Sequence, residues 1–226
     1  MRTLPWILGG GAVAFAAYVW TRRDGGVSPA ATREIQDDTT PLPGRWVWPV
    51  PVWRGRRPEI SDGFTSPRHS QTGDVIQHGG VDLMYRRLAE DRCPPGTPNG
   101  SRGYIMPDHR PALAASDGVV WFAASTPRGW TVILDHTPHK LATYYTHFSA
   151  LLVVPKQQVR VGQPIGIIGG DPLDAAHLMH LHFETWRGGA KDRFDPAPLM
   201  RAWEYLPDPG DMPATLVARD ARTSRR

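Results

Sequence analysis

His180-Leu181-His182-Phe183-Glu184, continuing into Thr185-Trp186, is the stretch on which the reading turns. Aromatic and β-branched residues in short alternation read as a β-strand, and in a strand alternate side chains share a face. His180 and His182 therefore point to one side, while Leu181 and Phe183 turn to the other. Glu184 has the parity of the two histidines. About a hundred residues earlier stands His78-Gly79-Gly80-Val81-Asp82, a second imidazole with a carboxylate four positions on. Imidazoles and one carboxylate are the donors that Zn²⁺ takes where a fourth position stays open for water. The two stretches predict a single metal site, one ion per chain, assembled across distant parts of the sequence.

Working outward, the chain from Ala112 to Trp186 breaks into short apolar runs punctuated by turn signals. These are Asp117-Gly118, Val161-Gly162 and Gly169-Gly170-Asp171-Pro172. Closely spaced strands of this kind predict an all-β domain, with only a short helix near Pro198–Tyr205. The segment 84–111 carries Pro94-Pro95-Gly96 and Pro98-Asn99-Gly100. It reads as a loop without buried regular structure that lies at the rim of the site.

The wider pattern resembles the M23 peptidases, the lysostaphin- or LytM-type zinc metallopeptidases of peptidoglycan. The resemblance runs from Trp46 to Met200. It rests on Trp48-Pro49-Val50-Pro51, Ile60-Ser61-Asp62-Gly63-Phe64 with Arg68, the His78–Asp82 motif, Ala114-Ala115-Ser116-Asp117-Gly118, Tyr144-Tyr145-Thr146-His147-Phe148-Ser149, Val161-Gly162-Gln163-Pro164, His180–Glu184 and Asp195-Pro196, in that order. It implies a mainly β fold, a compact antiparallel sheet with an open substrate groove. It implies His78, Asp82 and His182 as the zinc ligands. His147 and His180 would flank the water as acid–base groups, their roles undivided. Arg68 would bind a substrate carboxylate, or be structural. Glu184 would orient a ligand from behind or form a salt bridge. Against the family pattern, 84–111 is an insertion of about twenty residues, of the length at which a loop tends to be functional. The segment Asp171–Ala176 replaces a small, glycine-rich one. His177 reads as a loop residue, and His69, His109, His136 and His139 as surface residues.

The implied activity is endopeptidase cleavage of peptidoglycan cross-links. The alternative is a catalytically inactive LytM-like module that binds the wall or activates other enzymes in remodelling or division. The formal net charge of +4 suits an acidic polymer such as the wall. No nucleic-acid module is recognisable, so no nucleic-acid partner is expected. One cysteine, Cys93, excludes an intramolecular disulfide.

No residue from Thr3 to Trp20 is charged. The run approaches the roughly 20 apolar residues of a membrane helix. It reads as a membrane anchor, with a cleaved signal peptide and a buried helix as alternatives. The expected division is 1–21 anchor or signal, 22–44 linker, 45–205 metallopeptidase domain and 206–226 disordered basic tail. The catalytic domain is expected outside the cytoplasm, in the periplasm or envelope, or else secreted or virion-associated.

Overall fold

Alternation along the chain is what builds this domain. In Leu141–Leu151 the residues Leu141, Thr143 and Tyr145 are buried, while Ala142 and Tyr144 between them are half-buried. The computed structural model describes residues 42–69, 74–92, 95–174, 176–190 and 192–210. Among the described residues there are thirteen strands: β1 Pro58–Asp62, β2 Pro67–His69, β3 Val75–Gln77, β4 Val81–Arg86, β5 Tyr104–Ile105, β6 Pro111–Leu113, β7 Gly118–Thr126, β8 Gly129–His136, β9 Leu141–Leu151, β10 Gln158–Val159, β11 Pro164–Ile168, β12 Leu181–Trp186 and β13 Arg193–Phe194. One four-residue helix, α1 Ala197–Met200, lies within the expected helical stretch.

Among the described residues the strand ladders are antiparallel, and the entry segment adds isolated parallel bridges from Val47 to Glu204 and from Val52 to Pro207. One sheet of eleven strands has the order β1-β4-β12-β9-β8-β7-β10, with β11 joining β6 to β9, and β5 and β13 extending β4 and β12. The hairpin β2-β3 stands apart. The mainly antiparallel β fold is therefore present. The N-terminal apolar run lies outside the described residues. Among the described residues no helix is long and apolar enough to cross a membrane.

One face of the sheet carries the core. Val81, Leu83, Leu181, Phe183, Tyr145, Val132 and Leu134 pack there with Trp46, Trp48, Met200 and Trp203. The entry segment is ordered: Trp46 stacks on Trp203 at 5.1 Å, and the Trp48 indole N–H donates to the Met200 carbonyl at 3.0 Å. Packing continues past Tyr205, where Leu206 accepts from the Val52 N–H and Asp208 pairs with Arg110. Both ends of the domain thus close on each other.

Two readings of the sequence need correction. His136 is fully buried, not a surface residue. Its Nδ1–H donates to the Asp117 carbonyl at 2.7 Å, and its Nε2 lies 2.8 Å from Thr143 Oγ1. Thr143 Oγ1 is 3.0 Å from the Tyr145 hydroxyl, which accepts the Ala115 N–H at 2.9 Å. Every member of this buried chain is satisfied, which is what lets an imidazole sit in the core. Part of the segment 84–111 is also core: β5 pairs with β4, and Ile105 and Met106 are buried. Two β-type residues after a turn suffice to add a strand to an open edge.

Candidate metal centre

Register brings the two stretches together. In the β4–β12 ladder His182 faces Asp82, while Leu181 and Phe183 face Leu83 and Val81 in the core. His78 lies just before β4. Gly79 and Gly80 allow that approach: a Cβ on Gly80 would sit 2.3 Å from the Phe183 carbonyl oxygen, and one on Gly79 would meet the Arg193 guanidinium. At Gly80 the obstacle is backbone, so only a residue without Cβ passes there, whereas the Arg193 side chain at Gly79 can swing away.

His78, Asp82 and His182 are buried and converge. His78 Nε2 is 2.9 Å from His182 Nδ1 and 3.1 Å from Asp82 Oδ1, and His182 Nδ1 is 3.0 Å from Asp82 Oδ1. The other nitrogen of each ring is already used. His78 Nδ1–H donates to the Gly63 carbonyl at 2.8 Å, and His182 Nε2–H donates to Glu184 Oε1 at 2.9 Å. With those tautomers, assigned from their partners, three lone pairs meet with no donor between them. Such a cluster needs a cation. Tetrahedral ligands at bonds of about 2.0–2.1 Å lie about 3.3 Å apart, close to the spacing here. These three residues can hold a small, four-coordinate metal ion.

Charge follows the same logic. Burial would raise the Asp82 pKa, but the imidazoles of His180, His182 and His78 around it hold it well below the usual carboxylate range. Burial would lower that of His182, but the carboxylates of Asp82 and Glu184 beside it raise it. Glu184 is also ionised: burial opposes this, and His182 and Arg193 outweigh burial. Its second oxygen takes the Trp186 indole N–H at 2.6 Å. Glu184 therefore sits behind His182 and fixes its ring, as carboxylates behind metal-binding imidazoles do.

His180 and His147 stand beside the trio with their rings 4.6 Å apart. His180 Nδ1–H donates to the Leu178 carbonyl at 2.8 Å, and its Nε2 is 3.5 Å from Asp82 Oδ1. His147 Nδ1–H donates to the Arg128 carbonyl at 2.9 Å. Each ring thus offers its Nε2 lone pair. Burial lowers the His147 pKa well below its ordinary value, helped by repulsion from His180 and His182, so the ring stays neutral.

The route by which His147 reaches the site is absent from the sequence. Between the pairs Trp130–Phe148 and Val132–Tyr145, one residue of β8 opposes two of β9, Thr146 and His147. His147 occupies this bulge with φ +71°. Strict alternation would send its side chain to the core face beside Tyr145. The bulge, with a backbone conformation that a non-glycine residue rarely takes, re-aims it.

A cavity of about 230 Å³ opens onto Asp82 and His180, walled by Arg68, Tyr104, Asp171 and Leu178. Arg68 contacts both Asp62 and Asp82 through Nη2. Segment 84–111 supplies Tyr104 to this wall, and its Pro98 carbonyl accepts the Met179 N–H at 2.6 Å, one residue before His180. His177 stays in the loop, exposed, with φ +48°. His109 is exposed as expected, and His139 is half-buried against Trp46. Cys93 lies outside the described residues.

The sequence profile of peptidase family M23 matches residues 101–196. The resemblance is to family M23. The M23 match starts after the His78–Asp82 motif, so of the metal trio it includes His182, and the fold brings His78 and Asp82 to it. A lipoprotein NlpD/LppB homolog from Pseudomonas aeruginosa is 42% identical over 82 residues, 35% of this chain. The chain covers 26% of that relative's length. The SpoIIQ chain or its partner in the SpoIIIAH–SpoIIQ complex structure aligns with a TM-score of 0.52 at 21% identity, over 69% of this chain and all of that one, which speaks for the fold alone. The catalytic domain of lysostaphin from Staphylococcus simulans aligns with a TM-score of 0.48 at 21% identity, over 65% of this chain and 93% of that domain.

Proposed function

We propose that this protein is a zinc-dependent endopeptidase that hydrolyses peptide cross-links of peptidoglycan. The observation that carries the proposal is the convergence of three acceptor atoms, from His78, Asp82 and His182, beside the His147 and His180 rings, each held through its Nδ1–H by a backbone carbonyl. A bound Zn²⁺ would polarise the scissile carbonyl and make water a nucleophile near neutral pH. The chain's own residues supply the rest. His180 or His147 takes a proton from the attacking water at Nε2 as oxygen adds to the carbonyl carbon. The pair then returns a proton to the departing amine as the C–N bond breaks. Glu184 holds the His182 ring through Nε2–H, so that Nδ1 would be the atom offered to a bound ion. The wall of Arg68, Tyr104 and Asp171 holds the peptide.

Substrate and location rest on the family and on the relative's name. A lipoprotein relative suits work in the cell envelope, and the run Thr3–Trp20 suits a membrane anchor with residues 45–205 outside the cytoplasm. Fractionation with protease accessibility tests this placement: full-length protein recovered from the cytoplasm in soluble form contradicts it.

The deciding experiment is digestion of purified peptidoglycans of the glycine-bridged and directly cross-linked types, with mass analysis of the fragments. Release of cross-link peptides, abolished by chelator, is expected. Tight binding to the wall without any fragment would favour the non-catalytic module instead.

A further inference from the structure

The two oxygens of Asp82 have separate partners. Oδ1 faces the site, with His78 Nε2, His182 Nδ1 and His180 Nε2 at 3.1, 3.0 and 3.5 Å. Oδ2 accepts from Arg68 Nη2. The same nitrogen donates to Asp62 Oδ2, and it lies 3.4 and 3.3 Å from the two ring nitrogens of His78. Arg68 comes from β2 and Asp62 from the end of β1, where its backbone pairs with Asp82 itself. Asp62 is anchored in turn by the Gly63 N–H at 3.1 Å. Asp62, Arg68 and Asp82 thus form a charge sandwich whose middle member owes nothing to the metal.

Carboxylate denticity decides coordination number. One oxygen with two imidazoles makes three protein ligands and leaves one open position, which suits a small tetrahedral ion. A free second oxygen adds a hard donor and uncompensated charge, which suits Mn²⁺ or Ca²⁺ in larger shells. Resting on the metal-site reading above, we propose that Arg68 is a positioning residue that occupies Oδ2, keeps Asp82 monodentate and so sets the preference for Zn²⁺ over harder ions. This differs from a role in binding a substrate carboxylate, since it acts before any substrate arrives.

The test uses the full chain stripped of metal. Zn²⁺ and Mn²⁺ affinities are measured by competition with a chelating dye for wild type, Arg68→Gln and Asp62→Asn, with circular dichroism as the check on folding. In Arg68→Gln the ratio of Zn²⁺ to Mn²⁺ affinity should fall by about tenfold or more, the scale of losing a group that orients a ligand. The visible absorption of the Co²⁺-loaded variant should weaken as the site expands beyond four ligands. Asp62→Asn, which loosens Arg68 and leaves the three ligand side chains in place, although Asp62 Oδ2 lies 3.7 Å from His78 Nδ1, should move both readouts the same way by less, and it decides the matter if Arg68→Gln does not fold. An unchanged affinity ratio and Co²⁺ spectrum in a folded variant overturn the proposal, even if KM rises. Wild type that takes up no Zn²⁺ refutes the metal-site reading itself, a separate outcome.

Discussion

Acid should destabilise this domain through His136, a residue remote in role from the metal centre. Burial lowers its pKa from 6.5 to about 4, against the opposing pull of the Asp117 carbonyl. The unfolded chain takes up a proton near 6.5 that the native state refuses. Stability linked to this group is therefore complete above pH 6.5 and falls as pH drops towards 4. The gap between 6.5 and about 4, at about 1.4 kcal/mol per pH unit, gives a loss of about 3 kcal/mol. That is a large part of the roughly 5–15 kcal/mol that holds a domain together. His136→Gln can still donate towards the Asp117 carbonyl and accept from Thr143. It should cost about 1–2 kcal/mol at pH 8 and remove the proton-linked slope. Urea unfolding of both proteins, metal-free, from pH 8 to pH 4 measures this. Other titrating groups, His147 and the carboxylates among them, are common to both and cancel in the difference. Between those limits wild type should lose about 3 kcal/mol more than the variant. Parallel pH profiles would show that His136 accepts a proton in the folded state, and the reasoning would be refuted.

Three further outcomes are expected. His182→Ala should abolish the one-to-one uptake of Zn²⁺, and Glu184→Gln should weaken it about 10- to 100-fold by freeing the His182 ring, both read by elemental analysis and dye competition. His147→Ala and His180→Ala should keep their zinc yet lose about 10²-fold or more in turnover on a cross-linked peptide, the scale of an acid–base group; stoichiometric loss of metal in either would overturn the division between ligands and proton carriers. Gly80→Ala drives a Cβ to 2.3 Å from the Phe183 carbonyl oxygen, a backbone atom that cannot swing away. Thermal unfolding should show a loss of about 1–3 kcal/mol from this overpacking, with metal affinity reduced as β4 and β12 are forced apart.

Much of this was legible in the sequence, for local reasons. Period-two alternation with glycine and proline turns announces strands. Alternation alone puts His182 and Glu184 on one face and Leu181 and Phe183 in the core, as found in β12. Two histidines and an aspartate in short motifs carry their donor chemistry wherever the chain takes them. The part played by segment 84–111 was half legible. Its turns are visible in composition, but whether Tyr104-Ile105 pairs with β4 depends on an open sheet edge, which no local pattern displays.

What only the tertiary structure decided depends on partners distant in sequence. That His78 Nε2, Asp82 Oδ1 and His182 Nδ1 are the converging atoms follows from where Gly63 and Glu184 take the opposite ring protons. His147 turns towards the site through a bulge, because β9 must fit one more residue than β8 at that point. His136 reads as an exposed strand end and is instead buried, because Thr143 and Asp117 satisfy both its nitrogens. Arg68 reads as a substrate-carboxylate binder or a structural residue, and it is held between Asp62 and Asp82. A residue's type states which bonds it can make, and only the folded neighbourhood determines which of them it does make.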